Sequence, residues 1–447
     1  MFNLKYIYSA CVEITTDDLV VLCDPWLIGP AYYGTWGHVG LDISKVKANL
    51  KRPDYIYISH IHPDHYHPAT IRWICGMYPG VQILLASWPS THKNYLALKL
   101  RSDGFTNTVE TNEIVVKNTR LCIIPNVLGT KSDIDTALYV EKRENGTIYN
   151  FLNLNDCFVS DSLANRVQSL LPPNCSQIDC VALGYTGAGP YPQTYYSYKT
   201  QLDVLTRKAL EKEAVFKDRY LKAINLFPSK LHVPFAGKYK LLGELSILNP
   251  YRGVVDAVDV KEWDPQAVVP ADNGEGLLDI TTGQLSRARL EPHFNLDSQS
   301  EQDKESEYLW DKYLGFEPEN SILSRLLLKA ATAARQKSPL CTKDLVFTFF
   351  VYDRAISVQS VASLENPQSL CQKIASINLN HQVDLTDCAR PAYVSSDIFI
   401  SRKALFLALT GVTHWNNYEV GSVLQVRRSP DIYVPEMQDF LNFLSVA

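Results

Sequence analysis

The sequence is short of the features that mark several protein classes. Among 447 residues there are ten cysteines, and no two of them stand in Cys-x-x-Cys spacing. Neither a thioredoxin-like redox pair nor a zinc ribbon is signalled, and the count is too thin for a disulfide scaffold. A Cys-x-His partnered by Cys-x-x-His, the ligand pattern of a Rieske iron–sulfur centre, is missing as well. Reduced, buried thiols are expected. No apolar run approaches the ~18–20 residues that cross a bilayer, and Met1-Phe2-Asn3-Leu4-Lys5 does not start a secretory leader. A cytoplasmic chain with no membrane contact is expected. Basic charge is not in excess either: 43 Lys and Arg against 48 Asp and Glu leave a net charge of −5. A dedicated nucleic-acid binder draws its affinity from concentrated cations on phosphates, so that class is excluded.

What is present suits a globular protein of two or three domains, at roughly 150 residues each. The chain is 46% hydrophobic and 20% charged, and its 25 tyrosines hint at a polar-aromatic pocket. Strand-like runs cover residues 4–14, 19–23, 55–59, 83–86, 119–124, 137–140 and 148–154. Helical spacing covers 68–77, and most clearly 202–227, which Pro228 stops. Strands followed by mixed strands and helices predict a layered α/β (α+β) domain over residues 1–254. A polar, acidic stretch at 255–318 reads as a linker or lid. Residues 319–447, with an amphipathic helix at 319–337 and alternating strand and helix patterns, read as a smaller C-terminal α/β domain, in which His414-Trp415 packs locally.

The strongest signal is Ser59-His60-Ile61-His62-Pro63-Asp64-His65-Tyr66-His67, in which four of the chain's ten histidines fall within eight positions. A structural histidine is normally a lone one, so four beside a carboxylate point to metal. His60 leaves a strand and His62 lies two residues on, on the same side. Pro63 ends the strand, and Asp64-His65 turn toward the same space at the head of the next helix. Imidazoles and a carboxylate at this spacing suit zinc or iron. His67 is expected beyond the ligand shell. The loop 184–192 carries no Walker lysine or G-x-G-x-x-G, which leaves it, with Tyr32, Tyr33, Trp36 and His38, as pocket wall.

This H-x-H-x-D-H segment resembles the signature of the metallo-β-lactamase fold, a four-layer αββα architecture. The resemblance implies that His60 and His62 serve one metal and Asp64 and His65 a second. A later Asp would bridge them, and a further His would come from a strand end near the domain's C-terminus. Asp156, closing the apolar run Phe151-Leu152-Asn153-Leu154-Asn155, matches the bridge, with Asp161 as competitor. His232, in Lys230-Leu231-His232-Val233-Pro234-Phe235-Ala236-Gly237, matches the last ligand, with a hydrogen-bonded core histidine as the alternative. The fold usually places a His between the first motif and the bridge, yet no histidine lies between His92 and His232. Either a carboxylate such as Asp133 replaces it, which favours iron or manganese over zinc, or that site is degraded and one metal binds. The segments Asp24-Pro25-Trp26-Leu27-Ile28-Gly29-Pro30, Pro234-Phe235-Ala236-Gly237 and Arg428-Ser429-Pro430-Asp431-Ile432-Tyr433 further resemble the CMP-N-acetylneuraminate hydroxylase family. Its members are iron-dependent oxygenases with a Rieske domain for electron delivery; lacking those ligands, this chain is expected to take electrons by another path. Diiron oxygenases of natural-product pathways, which share the fold, are similar too.

The expected function is that of a metal-dependent oxygenase. Non-heme iron is the cofactor, two ions, with zinc or manganese as the alternative, and Asp64 and Asp156 are the catalytic carboxylates. The partners are a small polar metabolite or biosynthetic intermediate, dioxygen and an external electron donor, with no nucleic acid and no membrane. The competing expectations are a zinc hydrolase or lactonase, in which a bound hydroxide of pKa ~7 attacks an ester, and a binding protein on a decayed enzyme fold, motivated by Lys131 near the usual ligand position.

Overall fold

The strand Cys11–Thr16 is buried along its whole length, including Glu13, which is paired with Lys5 at 2.8 Å. In the computed structural model, which describes residues 1–130, 133–173, 175, 177–292, 308–338, 340–353, 355–380 and 393–447, that strand lies inside a seven-stranded sheet. The order is Leu277–Asp279, Phe2–Tyr8, Cys11–Thr16, Val20–Cys23, Tyr55–Tyr57, Gln82–Leu85 and Thr108–Glu110. The last four run parallel. A six-stranded sheet faces it, in the order Ser229–Phe235, Ile178–Gly184, Thr147–Asn153, Thr136–Glu144, Thr119–Pro125 and Glu113–Val116; its first three strands are parallel.

Alternation sorts each strand between layers. Along Ile178–Gly184, Cys180 and Ala182 point between the sheets with Val12, Ile14, Val140 and Phe151. Val181 and Leu183 point outward, under Tyr220 and Ala223 of the 25-residue helix Leu202–Leu226. Pro68–Met77 and Tyr95–Ser102 cover the other sheet through Ile71, Ile74, Leu96 and Leu100. The four layers, helix–sheet–sheet–helix, are those expected. His67 is the N-cap of Pro68–Met77: its Nδ1 accepts the Thr70 N–H at 3.3 Å, with Pro68 in the first turn. The nine cysteines among the described residues are free. No helix among those residues is long and apolar enough to cross a membrane.

The stretch read as a linker divides. Residues 293–307 lie outside the described residues, but residues before them are built into the first domain. Leu277–Asp279 is the edge strand beside Phe2–Tyr8, and Val260, Ala267 and Leu278 are buried. The acidic run 298–307 on which the linker reading rested lies outside the described residues, while Asp256, Asp272 and Arg289 before it sit in interior ion pairs: Lys238 Nζ lies 2.8 Å from Asp272 Oδ2, and Arg289 pairs with Asp256 at 2.5 Å. A residue-by-residue pattern cannot distinguish a paired interior charge from a solvated one.

The C-terminal part has its own sheet, in the order Gln372–Asn378, Leu345–Tyr352, Val394–Ser401 and Gln425–Ser429. Its helices Asn320–Lys337, Arg402–Leu409 and Pro435–Asn442 cover that sheet. Leu323, Phe349 and Trp415 belong to one continuous core with Trp26, Tyr32 and Trp36 of the first domain, so the two parts share their interior.

Two stability predictions follow from these interiors. Asp272→Ala, which strands the Lys238 ammonium in the interior, should lower the unfolding free energy by about 3–5 kcal/mol, read as a lower urea midpoint. Burial pushes the Glu419 carboxyl up from an ordinary 4.5 to about 7. The folded chain therefore keeps a proton that the unfolded chain has released, and stability falls as pH rises from about 4.5 to 7. Glu419→Gln should remove that slope in denaturation curves taken across the window.

Candidate metal centre

Parallel strands of both sheets end on the same side of the molecule, and ligands gather in such carboxyl-end crevices. Val20–Cys23 ends at Asp24, Tyr55–Tyr57 leads into Ser59 and His60, and Thr147–Asn153 leads into Asp156. Asp24 and Asn155 sit in the left-handed region, at φ 42° and 48°, a conformation that Asp and Asn tolerate better than most residues and that concentrates at functional sites.

Asp24 organises the first half of the site. Its Oδ1 accepts the Ser59 N–H at 2.7 Å, while its Oδ2 accepts the Ser59 hydroxyl at 2.6 Å and His65 Nδ1–H at 3.0 Å. With its one proton given to Asp24, Ser59 Oγ is left to accept from His60 Nδ1 at 3.0 Å. The Nδ1 protons of His60 and His65 are thus engaged, and both Nε2 atoms face the cluster. His62 turns its Nδ1 to within 2.9 Å of His60 Nε2. Asp64 is held by the Tyr32 hydroxyl, which donates to Oδ1 at 2.7 Å, and its Oδ2 lies 3.6 Å from His65 Nε2. Asp156 Oδ2 stands between the two pairs, 3.9 Å from His60 Nε2 and 3.4 Å from His65 Nε2. At 40% side-chain exposure Asp156 marks the open side of an otherwise buried site.

These spacings suit metal ions. Donors bound at about 2.0–2.2 Å around a tetrahedral ion lie roughly 3.3–3.6 Å apart, and the four separations from 2.9 to 3.9 Å bracket that value. One donor atom each from His60, His62 and Asp156 falls within 4.8 Å of the others. Burial holds His60 and His62 below the ordinary imidazole value, neutral and ready to ligate. Burial pulls His65 the same way, but Asp156, Asp64 and Asp24 outweigh it and raise its pKa. Burial lifts Asp64. It works on Asp156 too, where His65 prevails and lowers the pKa.

Five of the seven expected ligands, His60, His62, Asp64, His65 and Asp156, meet here. The other two are corrected. His232 pairs in register with Val181, so it shares that residue's helix-facing side rather than the strand end. Its Nδ1 lies 2.6 Å from Asp264 Oδ2, which also accepts the Tyr220 hydroxyl at 2.8 Å. It is a hydrogen-bonded core histidine. Asp133 turns its carboxylate into its own loop, where the N–H groups of Leu128 and Gly129 donate to Oδ2 at 2.8 and 2.9 Å. Asp135, two residues on, comes within 3.8 Å of His60 Nδ1, the ring nitrogen that Ser59 holds, on the side away from the Nε2 that faces the cluster. Enclosure in the site, reinforced by Asp156, pushes Asp135 up to about 7. The missing-histidine argument pointed to this loop, yet spacing alone did not say which carboxylate the loop would turn inward. Lys131 lies outside the described residues. Asp161 instead begins the helix Asp161–Gln168.

A Beta-lactamase superfamily domain model matches residues 3–151. The N-terminal part of the chain is a metallo-β-lactamase-fold domain. Over about two thirds of its length the chain is similar to two primate proteins. It is 27% identical over 312 residues to the inactive cytidine monophosphate-N-acetylneuraminic acid hydroxylase of Homo sapiens, covering 65% of this chain and 57% of that protein. The same identity and length relate it to the cytidine monophosphate-N-acetylneuraminic acid hydroxylase of Pan troglodytes, covering 65% and 48%. The chain thus spans about half the length of the curated relatives it matches. Among solved structures it is similar to CmlA, a diiron β-hydroxylase from Streptomyces venezuelae, at 19% identity and a TM-score of 0.37, covering 59% of this chain and 48% of that one. It is also similar to an isothiocyanate hydrolase from Delia radicum gut bacteria, at 13% identity and a TM-score of 0.41, covering 62% and 98%.

Within the metallo-β-lactamase-fold domain the two kinds of histidine should separate cleanly. His60→Ala and Asp156→Ala are expected to abolish tight divalent-metal binding in equilibrium dialysis. His232→Ala should leave metal binding intact and lower stability by about 1–3 kcal/mol, because Asp264 loses a buried partner.

Proposed function

We propose that this chain is a non-heme iron oxygenase that holds two iron ions and acts on a small polar metabolite or biosynthetic intermediate. The donor set carries the reading: three imidazoles, of His60, His62 and His65, meet the carboxylates of Asp64 and Asp156. Cys157, the one thiol beside them in sequence, is buried against Leu163 and Val167. So oxygen-rich a set suits iron or manganese better than a thiolate-bearing one would. The similarity to proteins named as hydroxylases supports the same reading.

On this reading His60, His62 and Asp156 would hold one ion, and Asp64 and His65, with Asp156 close to both pairs, would hold the other. Bound iron would supply the one-electron chemistry through which dioxygen is reduced with electrons from an external donor. The chain's own residues do the positioning. Ser59 and Asp24 retain the Nδ1 protons of His60 and His65, which keeps the basic Nε2 atoms turned inward. Tyr32 fixes the rotation of Asp64. Substrate approaches over the exposed Asp156.

The test is metal analysis and dioxygen uptake on the full chain produced with iron. Two irons per chain and reductant-dependent uptake are expected, with uptake lost in His60→Ala and iron content lowered in Asp156→Ala but not in Asp133→Ala. Two tightly bound zinc ions, no response to dioxygen and turnover of a simple ester or lactone would replace this reading with a zinc hydrolase.

A further inference from the structure

His414-Trp415, expected to pack only within the C-terminal domain, opens a short helix that reaches the metal centre. In the helix Trp415–Val420, Asn416 places its Oδ1 2.8 Å from His62 Nε2. A carboxamide oxygen only accepts, so Nε2 carries the proton and Nδ1 is the bare nitrogen. That Nδ1 is the atom 2.9 Å from His60 Nε2. Asp24 and Ser59 perform this service for His65 and His60 from within the first domain. For His62 the partner lies 354 residues away, in the other domain.

The docking that delivers Asn416 is itself built. Tyr32 and Tyr33 are consecutive aromatic residues in the left-handed region, at φ 47° and 62°, a conformation that bulky side chains rarely adopt. Their hydroxyls go to the two sides of the site. Tyr32 donates to Asp64 at 2.7 Å, while Tyr33 accepts the His414 N–H at 2.9 Å and the Asn417 Nδ2–H at 3.1 Å. The Trp36 indole donates to the Val420 carbonyl at 3.3 Å. Gly421, just past the helix, sits so close that a Cβ would lie 2.8 Å from Thr35 Oγ1 and 3.3 Å from Tyr32 Cβ.

We propose that Asn416 is a positioning residue of the metal centre, through which the C-terminal domain sets the tautomer and ring orientation of His62. The proposal rests on the reading of His60, His62 and Asp156 as metal ligands. Outer hydrogen-bond partners of a metal-bound imidazole typically affect affinity by 10–100-fold. Zinc affinity of the full chain, measured by chelator competition, is the readout. Asn416→Ala should weaken it 10–100-fold, and Asn416→Asp, which keeps the acceptor oxygen, should restore wild-type affinity or better. Tyr33→Phe, which loosens the docking without touching His62, should lower the urea midpoint and change zinc affinity less than Asn416→Ala does. Equal affinity in wild type and Asn416→Ala would overturn the proposal. So would an Asn416→Asp variant as weak as Asn416→Ala. Wild-type zinc binding together with no dioxygen uptake by the iron-loaded protein would overturn only the oxygenase reading, and a His60→Ala chain binding zinc as tightly as wild type would overturn the metal site itself.

Discussion

Two oxygens of one buried carboxylate hold this site in shape. Asp24 takes the Ser59 N–H, the Ser59 hydroxyl and the His65 Nδ1–H, and is itself fully buried. Placing a carboxylate there is unfavourable unless each lone pair is used. Once used, it decides where two imidazole protons sit and which nitrogens are left to face the cluster. The left-handed backbone at Asp24 turns the chain out of the strand and brings its side chain back under Ser59. The first metal-binding motif and the Asp24-Pro25-Trp26-Leu27 segment are therefore one device.

The same logic extends outward by shells. Tyr32 orients Asp64, and Tyr33, its neighbour in the same strained turn, captures the helix that presents Asn416. Backbone strain of this kind persists only where surroundings over-determine it. Here both hydroxyls, the Trp36–Tyr239 stack at 3.5 Å between ring centroids and a core shared by both domains supply that constraint. The domain division visible in the sheets is thus not a division of the site.

Much of the fold was legible because its signals are local. The helix Leu202–Leu226 announces itself by apolar spacing and by Pro228, and the H-x-H-x-D-H segment by its density of histidines. The strand leading to Asp156 is a plain apolar run. The interior ion pairs Lys238–Asp272 and Arg289–Asp256 were not legible, since charge in a sequence carries no sign of its partner. The mutual geometry of distant segments was hidden as well, and both mistaken ligands fall there. His232 stands one strand position off the site-facing side, and Asp133 closes its own loop while Asp135 reaches His60.

By itself, the sequence determined that His60, His62, Asp64 and His65 would crowd together, because four such side chains within six positions share a space whatever surrounds them. Tertiary structure alone decided which distant carboxylate joins them, which histidine stays in the core, and that a residue of the other domain fixes His62. Each of those outcomes depends on strand register, loop closure and docking across hundreds of residues, which single-residue patterns do not encode.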